Sequence, residues 1–295
     1  MWRQEWVGAN GQQFHVMTAG PRSAPTMVML HGFPEYWVAW KAVAERLSGD
    51  FHLILPDQRG FNLSSKPDGV EVYETKHLVA DLDSLLDVLA PDDPIILCGH
   101  DWGASVAYAY AMRHHKRVSH LVIANGVHPV CFQRALLAGG AQTDASQYMN
   151  ILRRLDSDRR LATDGFSKLM NMFESFSSAP WLDESTRQDY REAWGRPGAL
   201  PAMLNWYRGS PMIVPDSGSK PKSLPITAEM HQKYRIRMPH LLLWGMDDVA
   251  LLPEARADLG QFCDDLTLHE ISNASHWILH EQPDRVARHI RDFLA

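Results

Sequence analysis

Ile95-Ile96-Leu97-Cys98-Gly99-His100-Asp101-Trp102-Gly103-Ala104-Ser105-Val106-Ala107-Tyr108-Ala109 is the stretch on which the fold turns. The apolar run Ile95 to Cys98 reads as a buried strand, and the residues from Ala104 have helical composition. Between them lies a Gly-x-nucleophile-x-Gly pentapeptide on a strand-to-helix turn, with aspartate where serine usually stands. Gly99 and Gly103 keep side chains out of a sharp elbow and let strand and helix approach closely. Asp101 is then placed at the C-terminal end of the strand, open to a cleft. A carboxylate there suits attack on strained or halogenated carbon, whereas serine suits acyl transfer; attack makes an alkyl ester that water must later cleave.

Outward from this elbow, strands alternate with helices. Arg3 to Thr18 reads as a hairpin turning at Asn10-Gly11, the pair suited to a two-residue turn with positive φ. The pattern continues with a strand (26–30), a helix (38–47), a strand (51–55), a helix (75–89), the strand and helix of the elbow, and a strand (121–124). From about His128 to Lys233 the strand signal vanishes and a helical pattern rich in Met, Arg and aromatics takes over, closing on the Pro-, Gly- and Ser-rich segment 209–225. Strands resume at 240–244 and 266–271, with a helix between them and a C-terminal helix from Pro283. This alternation predicts an α/β fold, a mostly parallel sheet with helices on both faces. Residues 1–127 and 234–295 form the expected core, and 128–233 an inserted helical cap over its active-site edge.

Composition narrows the function classes. The 295 residues are 45% hydrophobic and 22% charged with a net charge of −6, an ordinary globular balance with no electrostatic case for nucleic acid or an anionic membrane. Met1-Trp2-Arg3-Gln4-Glu5 lacks the basic start and apolar stretch of a signal peptide, and no apolar run reaches membrane-spanning length. A cytoplasmic location is expected. Cys98, Cys131 and Cys263 are widely spaced without a metal-ligand pattern and read as reduced thiols.

Seven short stretches carry a family resemblance. They are His31-Gly32-Phe33-Pro34-Glu35, Asp57-Gln58-Arg59-Gly60-Phe61, the elbow pentapeptide, Asn125-Gly126-Val127-His128-Pro129, Asn205-Trp206-Tyr207-Arg208, and the pair Trp244-Gly245-Met246-Asp247-Asp248 with Ser275-His276-Trp277. On these the chain resembles an α/β-hydrolase of the epoxide hydrolase type, with an eight-stranded, mostly parallel sheet implied. The order nucleophile, acid, histidine agrees with that family. Val127, where proline is frequent, and Asn62-Leu63-Ser64-Ser65 depart from its pattern, both outside the chemical groups.

The resemblance implies roles that the chemistry also asks for. Ester hydrolysis needs a base of suitable pKa to deprotonate water, and His276 is chosen among the fifteen histidines because it follows a strand and a short loop near the C-terminus. A carboxylate should orient that imidazole. Asp247 and Asp248 are adjacent candidates, and the family's Gly-x-x-Asp pattern selects Asp248. The amides of Phe33 and Trp102 are the implied oxyanion-hole donors; Pro34 cannot donate. Tyr207 matches one of two cap tyrosines that protonate an opening epoxide, and Tyr148 is assigned as the other. Trp37, Trp40 and Trp102 are candidates for aromatic walls, with Trp37 and Trp102 assigned to substrate binding. The expected activity is hydrolysis of an epoxide to a vicinal diol through an ester on Asp101, without metal or organic cofactor. Its partners are a small-molecule epoxide and water, with a homodimer as the candidate assembly. A carbon–halogen hydrolase on the same nucleophile, as in haloalkane dehalogenases with an indole beside it, and a non-catalytic ligand-binding relative are the alternatives. Fluoroacetate dehalogenases place arginines just after the aspartate, where this chain has Trp102 to Ser105, which disfavours a small anionic substrate.

Overall fold

The computed structural model describes residues 1–91, 94–175, 177 and 181–295. Eight strands form one sheet: β1 (Arg3–Ala9), β2 (Gln12–Ala19), β3 (Thr26–Leu30), β4 (His52–Pro56), β5 (Ile95–His100), β6 (Val118–Ala124), β7 (His240–Gly245) and β8 (Leu266–Ile271), in the order β1-β2-β4-β3-β5-β6-β7-β8. Only β2 runs against its neighbours, pairing antiparallel with β1 and β4; every other pair is parallel. The hairpin turns where the sequence places it, with Asn10 and Gly11 both at positive φ, 47° and 70°, the backbone a two-residue turn of this kind requires.

Because strand side chains alternate, the central strands feed two cores. Val28, Leu30, Leu97, Leu242 and Trp244 join one apolar cluster, while Met27, Met29, Ile96, Cys98, Leu241 and Leu243 join the other. Helix α1 (Lys41–Leu47) and the C-terminal helix Pro283–Leu294 cover the second face and touch each other there. Helices α2 (Thr75–Leu89) and α3 (Trp102–Arg113) pack together on the first face.

Between β6 and β7 the described residues hold helices from Pro129 to Lys233 and no strand. Side-chain bonds tie this insertion to the sheet's loops, among them Trp206 Nε1 donating to Arg59 O at 2.9 Å, Trp194 Nε1 to Pro34 O at 2.6 Å, and the Tyr190 hydroxyl to Glu35 Oε1 at 2.8 Å. Arg59 is itself fixed by a buried two-pronged pair with Asp81, at 2.7 and 2.6 Å.

Two expectations are corrected. The helix expected between β7 and β8 is instead two four-residue 3-10 turns, Pro253–Arg256 and Leu259–Phe262, because Asp258 at φ 60° breaks the path between them. The helix expected from Val38 starts as a 3-10 turn over Trp37–Trp40 and becomes α-helical at Lys41.

Candidate active site

The C-terminal ends of the parallel strands converge on one edge of the sheet, where ligands of open α/β sheets bind. Asp101 follows β5 directly, with φ 49° and ψ −119°. That is a strained conformation for a residue with a side chain, costing on the order of 1–3 kcal/mol. The surroundings hold it: its N–H donates to Asn125 O at 3.3 Å and its carbonyl accepts from Ala104 N at 3.0 Å. The glycines around it answer to contact as well as curvature. A Cβ on Gly103 would run into the carbonyls of Leu30 and His31, one on Gly32 into the Asp101 side chain, and one on Gly99 would lie 2.7 Å from Gly103 O.

The two carboxylate oxygens of Asp101 have different surroundings. Oδ1 accepts the Phe33 amide at 2.7 Å, while Oδ2 lies 3.5 Å from His276 Nε2. Trp102 opens α3, so its amide is among the N–H groups that have no acceptor inside the helix. His276 Nδ1 bonds Asp248 Oδ2 at 2.7 Å. Asp248 is buried and its oxygens are fully engaged, Oδ1 by the amides of Ala250 and Leu251 at 2.8 and 2.9 Å and Oδ2 also by Asn125 Nδ2 at 2.7 Å. Its neighbour Asp247 is exposed. Of the two adjacent candidates, the geometry therefore brings Asp248, and not Asp247, onto the imidazole.

Electrostatics follow from this line of groups. Burial disfavours a charged His276, but the negative charge of Asp248 and the contacts of both carboxylates outweigh it and raise the pKa to about 10. Burial likewise works against the Asp248 anion, and the imidazole with the surrounding donors overcomes it, so that its pKa is lowered. The imidazolium between two carboxylates is the favoured resting arrangement.

Across the cavity stand the two tyrosines of the insertion. Tyr207, on the helix Ala199–Arg208, is buried with its ring edge-on to Phe33 at 5.1 Å and to Trp102 at 5.0 Å. Tyr148, on the helix Gln147–Leu152, meets the Tyr207 ring at 6.2 Å. Burial, followed by nearby negative charge, raises both phenols above their ordinary range, so each is an O–H donor at neutral pH. With Asp101 and Trp102 they line a cavity of about 380 Å³ whose other walls include Val127, Phe132 and Leu251.

Trp37 is corrected as a wall of this cavity. Its ring lies 5.3 Å from that of Trp2 and its amide donates to Asp57 Oδ1, so it is built into the packing beneath the β3 loop. Trp40 is fully buried with Nε1 donating to Leu30 O. Both were plausible from sequence because tryptophans near a nucleophile loop serve core and pocket equally well.

Two further groups stand in stretches quoted from the sequence but were given no role there. Asn125, at φ 37°, donates to Asp248 and accepts from the Gly245 amide at 2.8 Å through Oδ1, joining the ends of β6 and β7. Its position just after β6, before Gly126, was the available signal. Glu35 is buried, accepting from Tyr190 and bonding His280 Nε2 at 2.6 Å, with His100 Nδ1 at 3.5 Å. Burial opposes its charge, yet the neighbouring histidines hold its pKa well below the carboxylate range. His100 Nε2 in turn donates to the carbonyl of His276 at 2.8 Å, which braces the loop bearing the imidazole. A lone acidic residue after Pro34 gave no pattern by which to find this cluster.

A sheet of this order, with a nucleophile elbow after β5 and its histidine after β8, defines a class of enzymes. A family model for the alpha/beta hydrolase fold matches residues 25–283, and the chain belongs to that family, in its epoxide hydrolase type. It is 32% identical to the AB hydrolase superfamily protein YfhM of Bacillus subtilis (strain 168), over 98% of this chain and 97% of that protein. It is 30% identical to Epoxide hydrolase 3 of Xenopus tropicalis, over 97% of this chain and 75% of that one. Among solved structures, the epoxide hydrolase of Bacillus megaterium in complex with an inhibitor superposes with a TM-score of 0.86 at 29% identity, covering 98% of this chain and 99% of the other.

Proposed function

We propose that the protein hydrolyses an epoxide to a vicinal diol, with Asp101 as covalent nucleophile. The observation that carries this is the division of labour at Asp101: Oδ1 is held by the Phe33 amide while Oδ2 is turned toward His276 and the cavity. Oδ2 attacks a ring carbon, the carbon–oxygen bond of the ring breaks, and the departing alkoxide takes a proton from Tyr207 or Tyr148. The product of this step is a neutral ester whose carbonyl oxygen is Oδ1.

Water then attacks Cγ of Asp101. His276 takes the water proton, Asp248 stabilises the imidazolium, and the negative charge that develops on Oδ1 is met by the amides of Phe33 and Trp102. Breakage of the bond between Cγ and Oδ2 releases the diol, which carries Oδ2, and leaves a water oxygen in the carboxylate. Once the ester has formed, the imidazolium of the resting enzyme yields its proton through solvent to the tyrosinate, which leaves neutral His276 as the base for water; as the bond from Cγ to Oδ2 breaks, Oδ2 takes the proton that His276 accepted, and the proton on the new carboxyl group of Asp101 passes to His276 to restore the resting pair.

Residues 128–233 are taken as the cap that supplies the tyrosines to the core of residues 1–127 and 234–295. The assembly proposed is a homodimer, to be checked by sedimentation, and the location cytoplasmic, in keeping with the three free thiols. The test of function is a panel of aryl and alkyl epoxides with diol measured as product, using the wild type and Tyr207→Phe/Tyr148→Phe. Diol formation lost by about 10²-fold or more in the double variant supports the reading. Chloride release from haloalkanes without epoxide turnover, or tight ligand binding without any turnover, would replace it with one of the alternatives.

A further inference from the structure

His276 stands on a short loop between β8 and the four-residue helix Ile278–Glu281. Its ring is fixed by Asp248 and its carbonyl by His100, yet neither contact fixes the backbone on the side from which the chain enters. Ser275, the residue before it, is buried and is held by a single carboxylate. Glu281 Oε2 accepts the Ser275 amide at 2.6 Å, and Oε1 accepts the Ser275 hydroxyl at 2.8 Å. The hydroxyl oxygen in turn accepts the Trp277 amide at 3.2 Å. Both neighbours of His276 are thus tied, directly or through that hydroxyl, to Glu281. Oε1 also accepts the Ser177 hydroxyl of the insertion at 2.5 Å.

The other side of the histidine loop lies against the loop of the acid. A Cβ on Gly245 would sit 2.4 Å from Ser275 O, and the Asp247 amide donates to Ala274 O at 2.9 Å. Hydrogen bonds from an ionised carboxylate to amide and hydroxyl donors are among the stronger ones, so Glu281 presses the chain before His276 onto the loop that carries Asp248. A base that must take a water proton beside Cγ tolerates little displacement, since a shift of about 1 Å can cost about 10²-fold in rate. We propose that Glu281 is a positioning residue for ester hydrolysis, setting the distance of His276 from the attacking water by holding Ser275, an inference that rests on the epoxide-opening reading above. Epoxide opening makes no use of that distance, because Asp101 Oδ2 attacks without a base and the proton comes from a tyrosine.

The experiment is a single turnover of a hydrolysable epoxide with enzyme in excess, stopped in acid at successive times, with the ester read as added mass on the Asp101 peptide. Glu281→Ala should form the ester at a rate within about twofold of the wild type and lose it about tenfold more slowly. Glu281→Gln, whose carboxamide can accept the Ser275 amide with its oxygen and donate to Ser275 Oγ with its nitrogen, should recover most of the decay rate. Equal slowing of both steps in Glu281→Ala, a decay at the wild-type rate, or a decay no faster in Glu281→Gln than in Glu281→Ala overturns the proposal. Should Glu281→Ala fail to fold, Ser275→Ala decides in its place, since it removes the hydroxyl contacts alone. Ester decay slowed by about threefold with opening kept then supports the proposal, and decay at the wild-type rate overturns it. If the wild type forms no ester from any epoxide, the proposed function fails by itself, and proton NMR of the resting protein decides this inference. The proton between His276 Nδ1 and Asp248 Oδ2 should give a low-field resonance that shifts in Glu281→Ala and returns in Glu281→Gln. The same resonance in all three proteins would overturn it.

Discussion

In the proposed mechanism the resting enzyme and the ester on Asp101 differ by one negative charge, a difference that acts on His276. The carboxylates of Asp248 and Asp101 together outweigh burial to hold its pKa near about 10. Alkylation removes the Asp101 charge, so the imidazole releases its proton more readily once the ester exists, which is when a base is needed. Single-turnover experiments should show ester decay rising with pH through an ionisation below that of the resting histidine. Asp248→Asn is expected to slow that decay by about 10³–10⁴-fold, as loss of the orienting acid does in such triads, whereas Asp247→Asn, on the exposed side of the loop, should change it little. The same shift is a stability statement. His276 is raised from its ordinary 6.5, so its contribution is fully present below pH 6.5 and is lost as pH rises toward about 10. Asp248 is lowered from 3.8, so its contribution is present above that value and is lost as pH falls further. Urea unfolding of wild type and His276→Gln should therefore give a stability difference that shrinks between pH 6 and pH 10; a constant difference would mean that the imidazolium is not held by these carboxylates.

Elements were legible in the sequence to the extent that local chemistry fixes them. Asn10-Gly11 demands a tight hairpin, Pro283 starts a helix without needing its N–H, and short continuous apolar runs give the buried strands. What local chemistry does not fix was lost: Trp37 faces Trp2 rather than substrate because three-dimensional packing chooses between two apolar destinations, and Asn125 and Glu35 acquire their meaning from partners more than a hundred residues away. That Asp101, Asp248 and His276 would come together was readable because each follows a strand end, where direction is set by the sheet. The elbow provides the sharpest test at this scale. Gly103→Ala places a methyl against the Leu30 and His31 carbonyls, backbone that cannot swing aside. It should destabilise the protein by about 1–3 kcal/mol in chemical denaturation and lower activity by displacing Trp102 and Asp101 together.

For the molecule as a whole, the proposed mechanism depends on how the insertion sits on the sheet edge, since Tyr148 and Tyr207 come from it while Asp101, Asp248 and His276 come from the strand ends of the sheet. Trp194 links the two by donating to the carbonyl of Pro34, next to the Phe33 amide that holds Asp101. Trp194→Phe keeps most of the apolar contact but leaves a buried carbonyl unpaired, a cost of about 1–3 kcal/mol. The expected results are a lower melting temperature and a fall in kcat. The covalent role of Asp101 is best examined in heavy-oxygen water with enzyme in excess over a hydrolysable epoxide. One turnover should give a diol free of solvent oxygen and place the label in the peptide containing Asp101. A diol labelled in that first turnover, with an unlabelled Asp101 peptide, would mean that water attacks the epoxide itself and that no ester forms.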